Sequence, residues 1–283
     1  MVADFSSKRN FFNKNCLKKI FSLNWNGRFC RPFRFTWRSK MIFFLLTVCS
    51  ALFASPIEER ANEAFNEFAE AYARHGHTQY LPDEEITQLG HILEAAHIAT
   101  MLGAPEEVVV GLLLHDVGRM FAEEDEVEGN AAHYSHDDVG ADWAEKWGFP
   151  PLTCDCIRNH TLAKVLLCDE DPEYYEALSP ISKLSLEVQR KKFSDRRRLG
   201  VWKESDTFKA FRLCDDMAKL RALDPLLSPD TTIPSLESYR DMVIRVISGK
   251  GGAATNPGWH QKARDWHKMR TKDRASFERF LHN

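Results

Sequence analysis

The sequence has no long apolar run, no excess of charge of one sign and no strand-like alternation of apolar and polar residues. Its most apolar segment, Met41 to Ala54, has 14 residues, whereas a membrane-spanning helix needs about 20. The 38 Lys and Arg residues nearly balance the 41 Asp and Glu residues, which argues against a dedicated nucleic-acid-binding protein. With 43% hydrophobic and 28% charged residues, the composition is that of a folded globular protein. It excludes a disordered, collagen-like or multi-span membrane chain.

The cysteines in the body of the chain form no recognisable disulfide or metal-binding pattern. Four of the seven cysteines lie beyond the first 56 residues, at Cys154, Cys156, Cys168 and Cys214. The first two are spaced C-x-C, which is neither a CxxC redox pair nor a zinc knuckle. We therefore predict unpaired structural thiols, with two disulfides in a secreted protein as the alternative.

The first 56 residues differ in charge from the rest of the chain. They carry ten Lys and Arg and one acid, whereas residues 57–283 carry 28 Lys and Arg against 40 Asp and Glu. Basic residues precede the apolar segment and small residues follow it, which is typical of a secretory signal peptide. Localisation in the secretory pathway is the favoured interpretation, and no stable membrane span is expected. A mitochondrial presequence stays open, because the segment is also rich in Arg and poor in acids. An unprocessed anchor and a cytoplasmic chain stay open as well.

The body of the chain is predicted to be all-α. We divide the chain into a basic leader (1–56), a helical core (57–249) and a linker with a C-terminal helical tail (250–283). Asp83 and Ser135 are candidate N-caps, and Ser179-Pro180 supplies a cap followed by proline at the first helical position. The VVVGLLL run after Pro105 is apolar on every side, which indicates a buried helix. Helices are predicted over 57–74, 83–102, 135–147, 151–168, 171–178, 180–191, 205–222 and 235–247, and from Pro105 onward.

Six His and Asp residues lie on the inward faces or at the ends of five predicted helices, and they carry the strongest chemical signal. His115 and Asp116 end the buried VVVGLLL helix, where a carboxylate needs a partner, and a metal ion serves that need economically. The six are His91, His115, Asp116, His136, His160 and Asp215.

Nitrogen and oxygen ligands without thiolate favour iron, manganese or magnesium over structural zinc. Six ligands exceed what one metal with an open position needs, whereas two metals bridged by a carboxylate such as Asp116 would use all six. Any one inward His alone is better explained as a hydrogen-bonded core residue. His133, three residues before His136, is the rival for the third histidine position.

Two cations project beside these candidate ligands. Lys164 follows His160 by four residues and Arg212 precedes Asp215 by three, so each shares a helix face with a ligand. They predict an oxyanion pocket in which Arg binds bidentately and Lys adds a point charge. Ser182 and Ser185 add hydroxyl donors. The alternative for the cations is an ion pair with a neighbouring carboxylate.

At these residues the chain resembles the HD-domain superfamily. The shared features are an early His, the HDVGR run at 115–119 and the LCDDMAK run at 213–219. Within the superfamily it is most similar to the PhnZ/TmpB type of mixed-valence diiron oxygenases. The motifs HDDVGADW, IRNHTLAKVLL and LSPISKLSLEVQ support this narrower resemblance, which covers about residues 77–247.

The resemblance implies an HD-domain helical bundle that holds two iron ions as an Fe(II)/Fe(III) pair, although other divalent metals stay open. The six residues named above become the iron ligands, with Asp116 as the bridge. Lys164, Ser182 and Arg212 are implied to hold a phosphonate group. Tyr80 and Glu84 correspond to a gate before the first His, although their spacing is one residue longer here. Together with Asp116, they are the implied catalytic residues.

Two departures touch the implied substrate region. Arg119 follows HDVG where relatives of this type have His, which makes it a candidate substrate contact. The basic RKKFSDRRR run replaces a Gly-rich turn after LEVQ. The fold and the metals are therefore better supported than the substrate.

The implied activity is oxidative cleavage of a carbon–phosphorus bond, with a small anionic hydroxyphosphonate and dioxygen as partners and no nucleic acid. A metal-dependent HD phosphohydrolase acting on a phosphate ester is the first alternative. A catalytically inactive HD module used for binding is the second.

Overall fold

The computed structural model describes residues 56–80, 86–121, 132–193, 206–222 and 232–272, and within these it leaves out the side chains of 132–134, 220–222 and 270–272. All of these residues belong to one compact unit, Ala54–Asn283. The leader prediction for 1–56 lies almost wholly outside the described residues and stays a prediction. None of the helices in the described part is long and apolar enough to cross a membrane.

The all-α prediction is confirmed, because the described ranges contain helices and no strand. Eleven α-helices and one 3₁₀ helix, Leu236–Tyr239, are found there. The α-helices are α1 (Pro56–His75), α2 (Gln88–Leu102), α3 (Glu106–Leu114), α4 (Val117–Met120), α5 (Ala132–Trp147), α6 (Pro151–Glu170), α7 (Pro172–Ala177), α8 (Pro180–Lys192), α9 (Asp206–Ala222), α10 (Arg240–Ile247) and α11 (Trp259–Lys272).

Several predicted helix ends are confirmed. Gly103 ends α2 in the left-handed conformation with φ +78°, which glycine adopts without a steric penalty. Ser179 caps α8 by accepting a hydrogen bond from the Ser182 amide, with Pro180 at the first position. The predicted thiols are also confirmed, since the four described cysteines are free and buried.

Two predicted caps are wrong. The second helix begins at Gln88 rather than Asp83, and Thr87 caps it by accepting a hydrogen bond from the Gly90 amide. Asp83 itself lies outside the described residues. Ser135 lies inside α5, which begins at Ala132. Both errors have one cause: a Ser, Thr or Asp beside a helical pattern can cap it, and tertiary packing decides which residue does.

The apolar helix α3 lies at the centre of the core. It packs against α2, α6, α9 and α10, so its residues from Val108 to Leu114 are buried on every side. The tail helix α11 packs on α9 and adds Trp259 and Trp266 to the same core. The domain boundary between 249 and 250 stays a prediction.

A second apolar cluster lies under α8. It joins Leu162 and Leu166 of α6 to Leu186 of α8 and Leu213 of α9. This packing holds α8, which carries Ser182, against the two helices that carry Lys164 and Arg212.

Candidate metal centre

The structure brings all six predicted ligands together in the interior, each almost completely shielded from solvent. They come from five places in the fold: α2, the junction between α3 and α4, α5, α6 and α9. The residues in that order are His91, His115 with Asp116, His136, His160 and Asp215. Two groups within this cluster have ligand atoms close enough to hold a metal ion, and both groups include Asp116.

The carboxylate of Asp116 lies between two pairs of histidines. Its Oδ2 is 3.2 Å from His115 Nε2 and 3.9 Å from His91 Nε2. Its Oδ1 is 3.3 Å from His136 Nε2 and 3.9 Å from His160 Nε2. Each oxygen therefore faces its own pair of imidazoles, which is the arrangement needed for a carboxylate that bridges two cations.

Backbone contacts fix the tautomer of one histidine in each pair. His115 Nδ1 lies 2.7 Å from the Leu112 carbonyl oxygen, and His160 Nδ1 lies 2.7 Å from the Ile157 carbonyl oxygen. Since a carbonyl oxygen only accepts, each Nδ1 donates, and in the neutral ring each Nε2 carries the lone pair that a metal needs. In the described structure, Asp116 Oδ2 is buried and accepts no hydrogen bond. A buried carboxylate oxygen that faces an imidazole nitrogen is satisfied by a cation between the two atoms, which is either a proton or a metal ion.

The protonation states of His91, His160 and Asp116 suit metal ligation. Burial alone lowers the pKa of His115, but the Asp116 and Asp215 carboxylates outweigh it and raise that pKa, so a metal ion would compete with a proton for His115 Nε2. Burial, together with the neighbouring His136 and His115, lowers the pKa of His160 to about 3. Burial lowers the pKa of His91 to about 4. Burial alone raises the pKa of Asp116, but Arg119 and His115 outweigh it and hold that pKa well below its usual range. At neutral pH the imidazoles of His91 and His160 are neutral and the Asp116 carboxylate is ionised, which are the forms that bind metals.

Asp215 completes one side of the cluster. Its Oδ1 lies 2.9 Å from His91 Nε2 and 3.7 Å from His115 Nε2. With Asp215, the first group has four candidate ligands. They are His91, His115, Asp116 and Asp215. The second group has three, which are Asp116, His136 and His160. All are nitrogen or oxygen donors, so the set fits two hard or borderline metal ions.

The predicted oxyanion residues lie beside the cluster and are buried. Lys164 Nζ donates to the Ser182 carbonyl oxygen at 2.7 Å and to Ser185 Oγ at 2.8 Å. Arg212 Nη1 lies 2.7 Å from Asp215 Oδ2, and its Nη2 lies 2.6 Å from Asp216 Oδ1. The alternative of an ion pair thus describes the contacts of Arg212, whereas Lys164 bonds to uncharged oxygens.

Tyr80 and Arg119 lie against the cluster. The Tyr80 ring stacks on the His91 ring with 3.9 Å between centroids, and Arg119 Nε donates to Asp116 Oδ1 at 2.8 Å. Glu84 and the side chain of His133 lie outside the described residues, so the roles discussed for them stay untested.

Lys219 and Asp216 are site residues that the sequence analysis missed. Lys219 Nζ lies 3.2 Å from Asp215 Oδ1 and 3.3 Å from Asp216 Oδ1. Asp216 also accepts a hydrogen bond of 2.5 Å from the Tyr174 hydroxyl. Lys219 follows Asp215 by four residues, the same spacing that relates Lys164 to His160. This spacing alone predicts that Lys219 shares a helix face with Asp215.

A further buried network ties three helices together beside His136 and His160. The Asp137 carboxylate on α5 accepts a hydrogen bond of 2.6 Å from Thr161 Oγ1 on α6 and forms an ion pair with Lys192 on α8. Lys192 also lies 3.0 Å from Asp138 Oδ2. This network holds the C-terminal end of α8 in place, and the first turn of the same helix contacts Lys164.

Comparison with known proteins places the cluster in a family context. A family model described as the HD domain matches residues 89–196, a range that holds five of the six candidate ligands. A [1-hydroxy-2-(trimethylamino)ethyl]phosphonate dioxygenase of Leisingera caerulea is 33% identical over 187 residues, which cover 64% of this chain and 89% of that protein. A hydroxymethylphosphonate dioxygenase of Gimesia maris is 29% identical over 203 residues, which cover 70% and 94%. An uncharacterised protein of Acanthamoeba polyphaga mimivirus is 28% identical over 195 residues, which cover 67% and 84%.

Proposed function

Since this chain belongs to the HD-domain family of metal-dependent oxygenases, we propose that it is a dioxygenase that cleaves the carbon–phosphorus bond of a small 1-hydroxyphosphonate. The observation that carries the proposal is the position of Asp116, whose two oxygens each face one pair of histidines. The two relatives named for an activity both act on 1-hydroxyphosphonates, which supports this substrate class.

We assign the metals as a mixed-valence iron pair. His91, His115, Asp116 and Asp215 would hold one iron, and Asp116, His136 and His160 would hold the other. When bound, the pair supplies the redox chemistry with dioxygen and a Lewis-acidic site for the substrate oxygens. The second set has one protein ligand fewer, so a metal held there would keep more positions for exogenous ligands.

The chain's own residues bind and orient the substrate. Lys164, Ser182 and Arg212 lie on three helices around one side of the cluster, and we assign them to the phosphonate group. Lys164 supplies ammonium donors and Arg212 supplies a planar guanidinium that suits phosphonate oxygens. Ser185 already holds the Lys164 amine, and Asp215 and Asp216 already hold the Arg212 guanidinium. The two cations are therefore preorganised for phosphonate binding.

Oxygen uptake coupled to phosphate release tests the proposal. Iron-loaded protein is mixed with hydroxymethylphosphonate, and both quantities are followed. We expect one dioxygen consumed per phosphate released, because formate and phosphate then account for both oxygen atoms of dioxygen. Phosphate release from phosphate esters without oxygen uptake would instead identify a phosphohydrolase.

The pH dependence of substrate affinity tests the role of Lys164. Burial, followed by the charges of Arg212 and Lys219, lowers the pKa of Lys164 to about 7, while Asp216 and Cys168 oppose this shift. Below pH 7 the amine is charged before the substrate binds. Above pH 7 it must take up a proton on binding, so the affinity should fall by up to about tenfold per pH unit.

The matched control for this measurement is Lys164→Met, which has a similar volume and no charge. The substrate ionises identically with both proteins, so the ratio of their dissociation constants isolates the lysine. That ratio should favour the parent protein at pH 6 and approach one at alkaline pH. A ratio of one throughout pH 6 to 9 would exclude Lys164 from phosphonate binding, whereas a constant ratio that favours the parent protein would show a lysine that stays charged over this range.

A further inference from the structure

Protein cations surround the aromatic ring at the edge of the metal cluster. One neighbour of the Tyr80 ring is the His91 ring, at 3.9 Å between centroids. Arg119 Cζ lies 5.2 Å and Lys219 Nζ lies 5.5 Å from the Tyr80 ring centre. A quaternary ammonium ligand binds over an aromatic face within about 6 Å. At Tyr80, side chains of the protein itself already hold positions at that distance.

The positive charge around the cluster disfavours binding of a substrate that carries a cationic group. Four basic side chains, those of Arg119, Lys164, Arg212 and Lys219, lie beside the candidate ligands. The carboxylates of Asp116, Asp215 and Asp216 contact three of these cations, and bound metals would add further positive charge. A trimethylammonium group cannot lose its charge by deprotonation, so it meets this repulsion in full.

Of the three cations that contact these carboxylates, Arg119 has the side chain most accessible to a ligand. Its side chain is 14% exposed, compared with 4% for Arg212 and 10% for Lys219. Its Nε is held by Asp116 Oδ1, on the same carboxylate that faces the four histidines. The guanidinium therefore lies at the edge of the centre, where it would meet the carbon substituent of a substrate that approaches from this side.

We propose that Arg119 is a specificity-determining residue that selects 1-hydroxyphosphonates whose carbon substituent is neutral or anionic and rejects those that carry a quaternary ammonium group. The inference rests on the proposed function, since it concerns the same site. It separates this chain from the Leisingera caerulea relative, whose name specifies a trimethylamino substrate. Hydroxymethylphosphonate, or a 1-hydroxyphosphonate with a carboxylate on its substituent, is the substrate type that fits.

Calorimetric titration of iron-loaded protein under anaerobic conditions tests this selection without turnover. The ligands are hydroxymethylphosphonate and 1-hydroxy-2-(trimethylammonio)ethylphosphonate. The parent protein should bind the first about tenfold more tightly, the order of magnitude expected for two like charges about 7 Å apart at an effective dielectric constant of about 40. Equal or tighter binding of the trimethylammonium compound would overturn the inference and leave the proposed function standing. Binding of neither ligand would contradict both.

Variants of Arg119 assign the selection to this side chain. In Arg119→Gln, and in Arg119→Met as a second neutral variant, the ratio of the two affinities should shift about tenfold toward the trimethylammonium compound. Arg119→Lys keeps the charge and should keep the ratio. Arg245→Gln, which removes an exposed arginine paired with Glu106, is the matched control. Ratios are compared at equal iron content, and an unchanged ratio in both neutral variants would show that Arg119 only supports Asp116.

Discussion

Replacing Asp116 by Asn is expected to abolish oxygen-dependent phosphate release and to lower the iron content of the purified protein. The change keeps the shape of the side chain but replaces one of the two oxygens that face the histidine pairs. Loss of an outer partner of a metal ligand already costs about 10- to 100-fold, so loss of a bridging ligand should cost about a thousandfold or more. Elemental analysis and the oxygen electrode measure the two effects.

Asp138→Asn is the matched control for this variant. Asp138 is a nearby aspartate whose side chain is 37% exposed and lies near Arg158 and Lys192. Its loss should leave the iron content unchanged and the rate within about twofold, as surface ion pairs contribute little. Normal iron content and normal activity in Asp116→Asn would contradict the bridging role.

Replacing Gly118 by Ala is expected to destabilise the fold strongly and to displace His136. Gly118 lies in α4, and a methyl group there would come within 2.0 Å of the His136 carbonyl oxygen and 2.8 Å of the Gly140 amide nitrogen. Both contacts are to backbone, so no side-chain rotation relieves them. The free energy of unfolding should fall by about 3 kcal/mol or more, at or beyond the upper end of ordinary overpacking.

Urea denaturation followed by circular dichroism measures this loss, with Gly258→Ala as the control. A methyl group at Gly258 meets only the side-chain oxygen of Asn256, at 3.4 Å, so its effect should stay within about 1 kcal/mol. If Gly118→Ala unfolds at the urea concentration of the parent protein, the close approach of α4 to α5 is wrong.

Much of the architecture could be predicted because the signals are local. Phe65, Phe68 and Tyr72 recur at helical spacing within the predicted helix 57–74, and all three are buried in α1. The VVVGLLL run predicted a helix buried on every side, as found. By contrast, Asp83 and Thr87 are both capping residues in front of the same apolar pattern. Only the packing of the completed helix selects Thr87, so the sequence alone left that boundary open.

The candidate site could be predicted where the pattern of a single helix shows that a side chain faces the interior. His91, His160 and Asp215 share faces with apolar neighbours, and this placed them in the interior. The pairing of Asp137 with Lys192 joins residues 55 positions apart, and no local pattern contains it. The contact between Arg119 and the Tyr80 ring likewise depends on how α4 meets the segment before α2. Such contacts arise from tertiary packing, which spacing on one helix does not encode.

We propose that the ligands on the two sides of Asp116 hold one metal ion each. The most direct measurement is the metal stoichiometry of protein purified without oxygen, determined by elemental analysis and paired with an electron paramagnetic resonance spectrum. We expect two irons per chain and, after partial oxidation, the signal of a coupled Fe(II)/Fe(III) pair. A single metal per chain, with no coupled signal under any oxidation state, would contradict the account.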